Sequence, residues 1–80
     1  MTEVQRKQIL VETVRAFGAQ EWFRDAVVYD KHPNTGDPTL EFKVNYVPIF
    51  ERKSVIDFAL RHNLNSTFTV INQDGKSSES

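Results

Sequence analysis

The sequence predicts a small α+β domain with elements in the order α-β-β-α-β. Three observations carry this prediction. Capping-box spacing opens an apolar helical stripe near the start. "TLEFKVNYV", Thr39 to Val47, alternates with period two. Between that stretch and the apolar run before it lies "HPNTGD", His32 to Asp37, which has the residues of a tight turn.

The first helix is expected over Glu3 to Phe17, with Thr2 and Gln5 as its capping box. Val4, Leu10, Val11, Val14 and Phe17 form its apolar arc, and Ile9 falls outside it. Gly18 is expected to end the helix in the left-handed conformation.

"WFRDAVVYDK", Trp22 to Lys31, reads as the first strand. Its unbroken apolar run, Ala26 to Tyr29, suits a strand with neighbours on both edges. In the next strand Leu40, Phe42, Val44 and Tyr46 alternate with Glu41, Lys43 and Asn45, which marks one buried face. In the connecting turn Pro33 presets φ and Gly36 supplies a positive φ, giving a four-residue loop between paired His32 and Asp37. Extended up the hairpin, that pairing sets Tyr29 against Leu40, Val27 against Phe42 and Phe23 against Tyr46. A slip that set Asp30 against Leu40 and Arg24 against Tyr46 would break the pattern. Asp25 opposite Val44 is the misfit and marks a place for a bulge.

Pro48 opens the second helix, whose buried face is expected to hold Val55, Ile56, Ala59, Leu60 and Leu64. Phe50 and Phe58 point elsewhere. Arg61 and His62 suit the helix C-terminus, and Asn63 suits a left-handed cap. "TFTVIN", Thr67 to Asn72, is the third strand, with Phe68 and Val70 inward. A right-handed crossover makes the second and third strands parallel. The expected sheet is three-stranded, in the order 2-1-3 and mainly antiparallel, with both helices packed on one face. Residues 1–72 form the compact domain, and residues 73–80 are expected to be a disordered polar tail.

Composition narrows the function classes. The chain has no cysteine, so no disulfide supports it and nothing points to an oxidising compartment. It shows no membrane-length apolar run and no signal-peptide pattern, so a cytoplasmic location is expected. Net charge is −1; leaving out Asp74, Lys76 and Glu79 in the tail, nine cationic side chains face nine anionic ones. A balanced core exerts no long-range pull on nucleic acid or an anionic membrane.

Asp30, His32, Asn34 and Asp37 cluster in the loop, but their spacing fits neither a calcium loop nor a zinc site. They are also the residues a turn requires. Three glycines, at 18, 36 and 75, make no phosphate-cradling loop. Neither His32 nor His62 has a nucleophile and an orienting group at a recognisable spacing. His32 reads as an exposed residue at the hairpin shoulder. Glu51, Arg52 and Lys53 read as a solvated first helical turn. No enzyme, cofactor or metal is therefore expected.

What remains is the sheet face away from the helices. Trp22, Arg24, Val28, Lys43, Asn45 and Ile71 are the candidate binding residues there. Val47 extends their apolar part, and Phe50, Phe58 and Ile9 form a second apolar patch. The function expected is a small protein-interaction module, binding another protein or a second copy of itself as a homodimer. The alternative is single-stranded nucleic-acid binding on the same face, through Trp22, Arg24 and Lys43.

Overall fold

The computed structural model describes residues 1–71, so the expected tail over 73–80 lies outside the described residues. The elements are α1 (Glu3–Phe17), β1 (Phe23–Tyr29), β2 (Thr39–Val44), a 3-10 turn (Ile49–Glu51), α2 (Arg52–Arg61) and β3 (Asn65–Val70). The class is α+β, as the sequence predicts, with two helices over a three-stranded mixed sheet.

The sheet order differs from the expected 2-1-3. β2 is central, with β1 antiparallel on one side and β3 parallel on the other. The β2–α2–β3 crossover returns the chain directly to the free edge of β2, so β1 becomes an edge strand. Its exposed Arg24 and Asp25 guard that edge against strand addition.

The hairpin register also differs, by one residue. The loop forms as expected: His32 N–H donates to the Asp37 carbonyl at 3.0 Å, and Gly36 has φ 78°. Below it, however, Tyr29 faces Thr39, Val28 faces Leu40 and Ala26 faces Phe42. Between the loop and the ladder, Asp30 and Lys31 lie opposite the single residue Pro38. Proline has no N–H to give the ladder, and two residues against one is the count of a bulge. Ala26 and Val28 therefore turn inward and Val27 turns outward, the reverse of the expected arrangement. Because Ala26 to Tyr29 are all apolar, the pattern of β1 fits either register. A second irregularity, between Phe23 and Asp25, is the expected bulge; the Asp25 carboxylate accepts a hydrogen bond from Ala26 N–H.

In α1 the capping box forms. Thr2 Oγ1 accepts from Gln5 N–H at 3.1 Å, and Gln5 Oε1 accepts from Thr2 N–H at 2.8 Å. The buried face is Ile9, Thr13 and Phe17, whereas Val4, Val11 and Val14 are exposed. Hydropathy hides this face because Thr13 is polar. Its hydroxyl donates to the Ile9 carbonyl at 2.8 Å, so it is buried fully satisfied. Gly18 is right-handed, not left-handed, and a Cβ there would collide with the Val14 carbonyl oxygen. In α2, Val55, Phe58 and Ala59 are buried while Ile56 and Leu60 are exposed. Asn63 takes the expected left-handed cap, at φ 59°.

The core lies between the helices and the sheet face that carries Ala26, Val28, Leu40, Phe42 and Val44. Phe17 packs edge-on against Phe42 and Phe58, at centroid distances of 5.5 and 5.4 Å. Phe42, with no exposed surface, also contacts Trp22, Phe23 and Phe68.

Phe42→Ala is expected to cost about 3–5 kcal/mol, enough to unfold most of a domain this small, as read by far-UV circular dichroism at 25 °C. A Cβ at Gly36 meets no neighbouring atom, so Gly36→Val is expected to cost mainly backbone strain, about 1 kcal/mol or more in urea unfolding.

Candidate functional site

The six residues expected to form a binding surface do not come together. Trp22 and Val28 are buried beneath the helices, at 3% and 4% exposure. Arg24 is exposed at the β1 irregularity. Lys43 is half-buried on the open face, opposite Asp25 and Thr69. Asn45 ties the chain before β1 to the end of β2: its backbone N–H donates to the Trp22 carbonyl and its side-chain amide to the Glu21 carbonyl. Ile71 follows β3, half-buried, with its N–H donating to the Val44 carbonyl. Without Trp22 the open face lacks the stacking residue that the nucleic-acid reading relies on. Tyr29 is its aromatic, and that ring is packed edge-on against His32 at 5.0 Å.

What the open face does carry is a buried polar cluster. His32 folds back from the hairpin loop and is buried, not exposed as expected. Its Nε2 lies 3.2 Å from Glu41 Oε1. The other Glu41 oxygen accepts from the Thr69 hydroxyl at 3.1 Å. His32 Nδ1 accepts from Asn34 N–H at 3.1 Å, which assigns the proton to Nε2 and makes Glu41 its acceptor. Both ring nitrogens and both carboxylate oxygens are thus engaged. The arrangement ties the loop and β3 to the central strand and leaves no free nitrogen to serve as a base. Asp30 is held by Arg6 at 2.7 Å and by the N-terminal amine at 3.5 Å. Among the described residues, no group of three or more His, Cys, Asp or Glu side chains is arranged to hold a metal.

A polar cleft of about 650 Å³ runs between α1 and the end of α2. Glu12 and His62 meet across it at 3.4 Å, Asp30 is already paired, and the Arg61 guanidinium lies over the Phe58 ring. Glu12, His62 and Asp30 in the cleft are thus already partnered.

The remaining feature is an apolar shoulder where β2 gives way to α2. β2 ends at Val44, and beyond it Glu51 N–H closes a 3-10 turn on the Pro48 carbonyl. This turn throws Ile49 and Phe50 outward, at 76% and 98% exposure. Tyr46 and Val47 beside them are also exposed, although the expected register placed Tyr46 inside against Phe23. Together with Trp22 and Glu51 these residues border an apolar pocket of about 300 Å³. The Trp22 indole N–H is buried there without a hydrogen-bond partner. Leaving side chains as large as Ile49 and Phe50 in water forgoes about 1.5–3 kcal/mol each. Of the second expected patch only Phe50 is exposed; Ile9 and Phe58 belong to the core. Ile49 is the residue that sequence reasoning passed over. Its signal was "VPIF", a proline past the alternating stretch followed by two apolar residues that fit neither the strand nor the helix period.

Comparison with protein-family models gives no match, and none of the curated proteins or solved structures matches the chain.

Glu41→Ala strands the His32 N–H and is expected to cost about 1–3 kcal/mol in urea unfolding, against less than about 1 kcal/mol for Glu41→Gln, which still accepts from His32.

Proposed function

We propose that this chain is a non-enzymatic protein-interaction module that makes its contact through the Tyr46–Phe50 shoulder. One observation carries the reading: Phe50, a bulky aromatic, stands 98% exposed next to Ile49, itself 76% exposed. Large apolar side chains grouped in this way, beside a pocket, are the usual anchors of an interface. Glu51 borders the same pocket, a charged edge beside an apolar centre. The non-enzymatic part rests on the polar cluster. The buried acid and base in contact, Glu41 and His32, are both fully occupied in holding loop to sheet.

The surface is distinguished from the second exposed apolar stripe, Val4, Val11 and Val14 on α1. There the side chains are smaller, and the depression of about 410 Å³ beside Val4 and Val11 is lined mainly by the polar Lys7, Gln8, Glu12 and Arg15.

A photoreactive phenylalanine analogue at position 50 tests the reading in cells that express the full chain. A discrete protein adduct is expected from position 50 and none from position 4. Failure of position 50 to capture any protein would remove the reading.

A further inference from the structure

We propose that the occupant of the shoulder is a second copy of this chain, with Phe50 of each copy seated in the other's pocket. The inference rests on the reading of the shoulder as an interaction surface and names its partner.

A two-fold interface must be self-complementary, because the same patch serves both sides. This patch meets that condition. It presents a knob, Phe50, which also edges an open pocket of about 300 Å³ lined by Trp22, Tyr46, Val47, Pro48, Ile49 and Glu51, so a second Phe50 entering it would pack against the first. The hole is large enough for one phenyl ring, and its walls are mainly apolar. A partner of different shape would need its own knob and would leave the hole or Phe50 unmatched. A two-fold axis through the shoulder fills both holes with groups the chain already carries.

Phe50, Ile49, Tyr46 and Val47 together expose about 500 Å² per copy, counting a fully exposed aromatic as about 200 Å². Two copies would bury at most about 1,000 Å², the size of a weak, transient interface.

The chain has one tryptophan, and it forms the pocket wall. Trp22 emission therefore reports whether the pocket is filled. Sedimentation equilibrium of the full chain across the micromolar range is the direct test, with Trp22 emission followed over the same dilution. The wild type and Val4→Asp are expected to dimerise, and Trp22 emission to shift on dilution. Phe50→Asp is expected to raise the dimer dissociation constant about tenfold or more and to flatten the Trp22 response. Because Phe50 touches solvent on nearly all its surface, the variant should keep the wild-type circular dichroism melt; Phe50→Ala, which adds no charge, should weaken the dimer in the same direction. A dimer that ignores both substitutions overturns the inference. So does a strict monomer at hundreds of micromolar. If in that case position 50 still captures a different protein in cells, the interaction reading survives and only the identity of the partner is lost.

Discussion

Pro38 has no N–H to donate to a neighbouring strand, and the hairpin is built around that lack. The loop closes between His32 and Asp37, the ladder resumes at Tyr29 and Thr39, and Pro38 faces two residues in between. This local offset decides which side of β1 becomes core. It places Ala26 and Val28 beneath the helices, beside Phe42. It turns Tyr29 outward, where the ring packs on His32, and His32 then reaches the carboxylate of Glu41. Moving the offset by one residue would exchange the two faces of the strand.

The core that results is small and aromatic. Phe17 reaches from α1 to Trp22, Phe42 and Phe58, at centroid distances of 5.4–5.7 Å. One ring from each helix and one from the central strand thus meet at a point. Edge-on contacts of this kind add about 0.5–1.5 kcal/mol per pair beyond the area buried, a useful share of the stability of an eighty-residue chain. The same geometry explains which helical residues are left outside. Once Phe17 and Phe58 face the sheet, Val4, Val11 and Val14 on α1, and Ile56 and Leu60 on α2, are rotated towards solvent.

Trp22 links the core to the shoulder. Its ring packs on Phe17, Phe23 and Phe42, and it also walls the pocket beneath Phe50. A partner docking at the shoulder, as proposed, would meet a packed aromatic floor, which would lower the ordering cost of association. The buried cluster on the opposite face does a different job. Glu41, His32 and Thr69 hold together the loop, the central strand and the outer strand. Their hydrogen bonds run to one another, so the polar atoms of His32 and Glu41 are already engaged.

The sequence by itself determined the features that depend on neighbouring residues. The capping box at Thr2 and Gln5, the bounds of α1, the positive φ at Gly36, the left-handed Asn63 and the exposure of Phe50 all follow from side chains acting within a few positions. Tertiary structure decided the features for which two local answers were equally good. Ala26 to Tyr29 could turn either face inward because all four are apolar, and only the offset at Pro38 chose between them. Helix α1 offered a valine arc and an Ile9–Thr13–Phe17 arc, and the second won because Phe17 completes the aromatic cluster while Thr13 satisfies its own hydroxyl. The sheet order went the same way: the apolar run of β1 suggested a central strand, but the crossover delivered β3 to the open edge of β2. Register and strand order are set by contacts between distant segments, and hydrophobic pattern fixes them only where the two faces of an element differ.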